Sequence, residues 1–387
     1  MIEKAKQIHA QIIEWRRDFH KHPELGFEEK RTAGIVADKL KALGYAVRTG
    51  IGKTGVMADL GEGKPCVAIR ADMDALPIIE ANDVPYKSKV DGVMHACGHD
   101  AHTAIALGVA TLLTDEEFPG TVRFLFQPSE EMEDDEGLSG APRMVNDGAM
   151  EGVDYVLALH VDSSVKTGSI ELPTENAAAG VDTFYGKVLG KGGHGSTPHK
   201  VVDPIFISGH VILALHSIVS RRLWPLDSAV ISIGSVNGGS IDNVIPEVVE
   251  MTGTIRFLNK EVQALVHKEI ERAFKIAQTL GGDYELKIVE GYPPMDNSPE
   301  VVKVIDEVAV ELIGEENVVE PIPEMGSEDF AFFIEKAPGA MLFLGCKIEG
   351  DERRHHNPRF DVNEDCLSIG AGVLAETALR FLRREAL

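Results

Sequence analysis

The chain has 387 residues, 44% apolar and 26% charged, with a formal net charge of −24. That length exceeds one ordinary core and predicts two or more domains, while the acidic surplus speaks against nucleic acid and anionic membrane as partners. Four cysteines in so long a chain are too few for a disulfide framework, so reduced thiols and a cytoplasmic setting are expected.

Residues 1–20 place Ile8, Ile12, Ile13, Trp15 and Phe19 at helical spacing, and Pro23 ends the segment. This start has no apolar core of a secretory signal. No run of ~18 apolar residues follows anywhere, so no membrane span is expected. A second helix is predicted over 28–43, stopping at Gly44. Strands are predicted at "GVMADL" from 55 and "PCVAIRADM" from 65, then a helix over about 101–113 and the strand "TVRFLFQ". Helix-like "SGAPRMVNDGAM" precedes the strand "YVLALHV". Strands alternating with helices predict an α/β domain with a mostly parallel, buried sheet.

Near residue 180 the pattern changes. "GVDTFYGKVLGKGG" alternates like a half-exposed strand. Residues 203–223 read as an amphipathic helix with Asp203 as N-cap and Pro204 at its first position. Two strands, a helix over about 260–280 and the strand "YELKIVE" follow. The order βαββαβ is the ferredoxin-like signature. The prediction is a two-domain chain, with an α/β domain formed by 1–180 and 294–387 and an inserted α+β domain at 181–293.

The densest chemistry lies in "HACGHDAH", residues 95–102, with three histidines, one cysteine and one aspartate in eight residues. A lone Cys-x-His is more often a buried cysteine beside a surface histidine; this density favours a metal site, with Cys97 and His99 able to reach one ion. Glu130 and Glu131 follow a strand in "QPSEEMEDDE", His160 ends "YVLALH", and His355 and His356 stand in "RRHHNPRFD". Sites in open α/β sheets form beyond the carboxyl ends of the strands. A dication there would let two adjacent glutamates tolerate each other. The remaining acidic residues of that run read as a solvated loop.

These stretches, together with "RADMDALPI" (70–78), "GKGGHGSTPH" (190–199), "NVIPE" (243–247), "GTIRF" (253–257) and "GSEDF" (326–330), occur in an order that resembles the M20 metallopeptidases. The likeness is to their amidohydrolase branch of aminoacylases, hippurate hydrolases, thermostable carboxypeptidases and auxin-conjugate hydrolases. "RRDFHKHPELGFEE" (16–29) is similar to that branch's N-terminal signature. The resemblance implies two metal ions held by Cys97, His99, Glu131, His160 and His356, with the Cys97 thiolate bridging and Glu130 as catalytic base. It also implies that His194 stabilises the oxyanion, from the partner subunit of a homodimer, and that Asn243 and Arg256 bind a substrate carboxylate. Glu328 would line the pocket. A soft thiolate suits Zn²⁺ first, with Co²⁺, Ni²⁺ or Mn²⁺ also compatible. Asp72, Asp74 and Asp100 are candidates for orienting the ligand imidazoles.

The implied activity is metal-dependent amide hydrolysis of N-acyl amino acids or small peptides with a free carboxylate. The alternatives are an aminopeptidase-like exopeptidase, against which Arg256 argues, and a silent metal- or ligand-binding relative, against which the Glu130–Glu131 pair argues. After "LHV" the chain has "DSS" (162–164) where many relatives carry a Trp-Pro-like continuation, so no aromatic acyl preference carries over. His9, His20, His22, His199, His210, His216, His267 and His355 are expected to be surface or packing histidines.

Overall fold

A computed structural model describes residues 1–322, 324–350 and 352–384. They divide into two compact units: Met1–Ala177 with Asp296–Ile322 and Asp329–Leu387, and Ala178–Met295 with Pro323–Glu328. Each has its own apolar core. Residues 324–328, placed by the sequence in the α/β domain, group with the second unit.

The first unit is built on an eight-stranded sheet. In spatial order its strands are Ala46–Ile51, Gly55–Glu62, Gly120–Gln127, Cys66–Asp72, Tyr155–Lys166, Gly339–Lys347, Ile170–Glu171 and Val318–Val319. The four central strands run parallel, and the first two are antiparallel additions at one edge. Strand Cys66–Asp72 is buried along its whole length, which is why it reads as a continuous apolar run rather than an alternation. The edge strand Ala46–Ile51 went unpredicted because its half-exposed "AVRTGI" has neither alternation nor an apolar run. Helices His99–Thr114 and Leu367–Arg383, rich in alanine and glycine, are buried nearly all round. The first predicted helix breaks at Ile8 into Ile2–Gln7 and His9–Lys21.

The second unit has a four-stranded antiparallel sheet ordered Asp283–Glu290, Gly180–Leu189, Val248–Phe257, Ala229–Gly238. With chain order βαββαβ this is the ferredoxin-like arrangement. Helix Pro204–Arg221 starts as predicted: the Asp203 side chain accepts from the N–H groups of Ile205 and Phe206. The helix expected over 260–280 stops at Phe274, and Ile276–Thr279 forms a separate turn of helix. Helix Pro204–Arg221 is also the one described helix long and apolar enough to cross a bilayer. Its Ile207, Val211, Leu215 and Ile218 pack into the unit's core, so that face belongs to the unit's own packing.

Candidate metal centre

Metal-ligating atoms converge beyond the carboxyl ends of the central strands of the first unit. Cys97, His99 and His160 bring their donor atoms within 4.8 Å of one another; so do Cys97, Glu131 and His356, and so do His99, Glu130 and Glu131. The three sets overlap through Cys97, His99 and Glu131, and together they contain the five ligands and the base that the family resemblance implied.

Each position has a local reason. Gly98 precedes helix His99–Thr114 with φ +98, and a Cβ there would sit 2.3 Å from Val161 Cγ2. Only glycine allows this approach, which sets Cys97 and His99 side by side against the strand carrying His160. That strand does not end at His160 but runs on to Lys166; its pairing with Cys66–Asp72 stops at Ala158, which exposes His160 at the sheet's rim. His356 adopts φ +58, and its N–H donates to the Ala96 carbonyl at 2.8 Å, tying its loop to the cysteine's.

The hydrogen bonds leave nitrogen lone pairs aimed inward. His99 Nδ1 lies 3.0 Å from the Asp74 carbonyl and 3.1 Å from Asp74 Oδ1, so it carries the proton. His99 Nε2 is buried without a hydrogen-bond partner among the described residues, with Asp72 Oδ2 at 3.7 Å and Glu131 Oε1 at 4.0 Å. His160 Nδ1 donates to the Val161 carbonyl at 2.8 Å, leaving Nε2 3.6 Å from Cys97 Sγ. His356 Nε2 is 3.0 Å from Glu131 Oε1.

The electrostatics ask for a cation. Burial alone would lower the His99 pKa, yet Asp72, Asp74 and Glu131 lift it to about 10, so the carboxylates draw a positive charge onto that ring. Burial pushes the Cys97 thiol well above its ordinary value, and Glu131, Glu130 and Asp72 push it further. A metal reverses that by binding the thiolate outright. The donor set, the orphaned His99 Nε2 and the acidic surroundings therefore fit divalent metal.

Several residues behave differently from expectation. Asp74 orients His99, as proposed from the sequence, and its Oδ2 also accepts from the Glu131 N–H at 3.0 Å. Asp72 instead grips His102, Oδ1 to Nδ1 at 2.6 Å, and His102 Nε2 accepts from the Val161 N–H at 2.9 Å. With both nitrogens engaged, His102 braces the site; no sequence signal separated it from its two neighbours. Asp100 touches no ligand imidazole: it binds Arg16 and His20. His20, expected at the surface or in packing, lies fully buried in this charged network. His355, expected at the surface or in packing, brings Nδ1 to 3.8 Å from Cys97 Sγ.

His194, Asn243, Arg256 and Glu328 belong to the second unit. His194 is exposed on a two-residue strand, Gly193–His194, paired with Val244–Ile245, and Asn243 is exposed just before that pair. Arg256 Nη1 donates to Ser327 Oγ at 2.6 Å, and burial lowers the guanidinium's pKa. Glu328 is buried.

A profile of the peptidase family M20/M25/M40 matches residues 68–380. The chain belongs to the M20 family. It is 43% identical to thermostable carboxypeptidase 2 of Saccharolobus solfataricus over 97% of each chain. It is 40% identical to the hippurate hydrolase of Campylobacter jejuni, over 99% of this chain and all of that one. A dinuclear metal-binding M20 peptidase from Bacillus subtilis has the same fold, with a TM-score of 0.84 and 35% identity over 99% of this chain and all of that one. As an M20 member with hydrolases as its relatives, this protein is a metal-dependent hydrolase, and its donor set fits divalent metal.

Proposed function

We propose that the protein hydrolyses the amide bond of N-acyl amino acids, or of small peptides, that end in a free carboxylate. The observation that carries this reading is the convergence of the Cys97, His99, Glu131, His160 and His356 donor atoms in overlapping sets, with Glu130 beside His99 and Glu131. Two divalent ions, Zn²⁺ by ligand softness with Co²⁺, Ni²⁺ or Mn²⁺ as substitutes, would be held by those five residues. When bound, they supply positive charge that polarises the scissile carbonyl and acidifies water. Glu130 then takes a proton from the attacking water as the new C–O bond forms and the carbonyl oxygen becomes an oxyanion, and returns that proton to the amine nitrogen as the C–N bond breaks. Asp74 holds the His99 tautomer that keeps Nε2 available. Arg256, with Asn243, is assigned to the substrate carboxylate, because a guanidinium fork pairs bidentately with one. His194 is assigned to the developing oxyanion and Glu328 to the pocket wall. The names of the carboxypeptidase and hippurate hydrolase relatives support this substrate class. The four cysteines, all unpaired, support a cytoplasmic site of action.

The test is a panel of N-acetyl, N-benzoyl and dipeptide substrates with each metal in turn. Turnover is expected on N-acyl amino acids and to vanish on chelation. Cleavage confined to peptides with a free amine would make the enzyme an aminopeptidase, and metal binding with no turnover would make it a binding protein.

A homodimer is part of the same proposal. Among the described residues strand Ala229–Gly238 pairs on one side only, and an open edge of that length is a template for a second copy. The outward face of helix Pro204–Arg221 exposes Ile205, Phe206 and Leu213, the last at 71%. If His194 serves the partner's site, His194→Ala and Glu130→Gln proteins, each inactive, recover activity when their subunits exchange, because each hybrid contains one intact site. Proven exchange with no recovered activity would return His194 to its own chain.

A further inference from the structure

The two glutamates raise a problem of placement. Consecutive residues of a strand point to opposite faces, yet Glu130 and Glu131 both reach His99 within 4.8 Å. The chain solves this just after strand Gly120–Gln127, where Ser129 takes φ +43. A left-handed conformation is unfavourable for any residue with a Cβ, so something must hold it.

The holding group is a carboxylate from the N-terminal segment. Glu29 is fully buried. Its Oε1 accepts from the Ser129 N–H at 2.8 Å and from the Phe27 N–H at 3.0 Å, and its Oε2 accepts from Thr54 Oγ1 at 2.5 Å. Ser129 Oγ closes the turn onto the Met132 carbonyl at 2.8 Å. Gly26 lets the two segments meet, since a Cβ there would lie 2.2 Å from Ser129 Oγ. On the other side, Asp74 Oδ2 accepts from the Glu131 N–H. Glu130 is thus bracketed, with the N–H before it fixed by Glu29 and the N–H after it by Asp74.

We propose that Glu29 is a positioning residue that, by gripping the buried Ser129 N–H, holds the left-handed turn that aims Glu130 into the metal centre. This rests on Glu130 being the base, as read above. Without Glu29, the Ser129 N–H would be buried and unpaired, and such a group is relieved by moving the backbone. Glutamine at 29 keeps an oxygen where both N–H groups point.

The experiment compares metal-loaded Glu29→Ala, Glu29→Gln and Gly26→Ala with the wild type, by kcat, KM, metal stoichiometry and crystal structure. Gly26→Ala displaces the same turn without touching Glu29, and serves if Glu29→Ala folds poorly. In Glu29→Ala and Gly26→Ala, kcat should fall roughly 10–100-fold per metal-loaded site, with KM and stoichiometry little changed and Ser129 moved from its left-handed conformation. Glu29→Gln should stay within a few-fold of wild type. Wild-type kcat per loaded site in Glu29→Ala, or an unchanged Ser129 turn in its structure, overturns the proposal. A wild type that turns over no acyl amino acid sinks the reading of the site instead, and the Ser129 geometry still decides the role of Glu29.

Discussion

Glu130→Gln should retain both metals and lose turnover by roughly 10²–10⁴-fold. Glu131→Gln should lose metal instead. The two residues are neighbours in sequence and in space, but their contacts differ. Glu131 lies beside His356 and within 4.0 Å of His99 Nε2. Burial pushes its carboxyl up, but the His356 contact and the His99 charge bring it below the usual carboxylate range, the behaviour of a group matched to positive charge. Glu130 shares a cluster with His99 and Glu131 but not the sets built on Cys97. Glutamine keeps the size of either side chain and removes its charge and basicity. Metal stoichiometry and kcat on both variants decide the matter; near-normal turnover with metal retained in Glu130→Gln would remove it as the base.

Arg16→Met should destabilise the first unit by about 3–5 kcal/mol, since removing one partner strands the others as buried charges. Arg16 is fully buried. Its Nε donates to Asp100 Oδ2 at 2.8 Å, its Nη2 to Asp361 Oδ1 at 2.8 Å and its Nη1 to Glu364 Oε1 at 3.2 Å. One guanidinium thereby ties helix His9–Lys21 to the residue after His99 and to the segment after His356. Lysine cannot reproduce that fork, so Arg16→Lys should rescue little. Against a total stability of about 5–15 kcal/mol the loss is large, and thermal unfolding of the metal-free protein would register it. Burial alone would raise the Asp100 carboxyl; the Arg16 charge, then His20, carry it well below the ordinary value. A depressed carboxylate pKa gives stability that is present above the unfolded value of about 4 and lost as pH falls below it. The gap between wild type and Arg16→Met should therefore narrow below about pH 4. Equal unfolding temperatures at neutral pH would contradict this account of the network.

The proposed metal ligands were legible as candidates because their chemistry is local, and the family resemblance supplied their roles. "HACGHDAH" places Cys97 and His99 with one residue between them, Glu130 comes shortly after one strand-like apolar run, and His160 closes another. The ferredoxin-like unit was legible for a similar reason: two-residue alternation and the Asp203–Pro204 start are written in neighbouring residues. Other decisions depend on partners far along the chain. Helical spacing puts Arg16 on the face of Ile12, Trp15 and Phe19, but its partner Asp361 is 345 residues away, and nothing local names it; Arg17, off that face, is partly exposed and pairs with Glu364. His355 and His356 are adjacent histidines that only the family resemblance told apart; the fold brings one to Cys97 and the other to Glu131. Asp72, Asp74 and Asp100 were equal candidates for orienting a ligand, and only Asp74 takes a bond from His99. Sequence periodicity reports which face of an element is buried. Which buried polar group finds which partner is settled when distant elements pack, because each must find its hydrogen bond wherever the fold provides one.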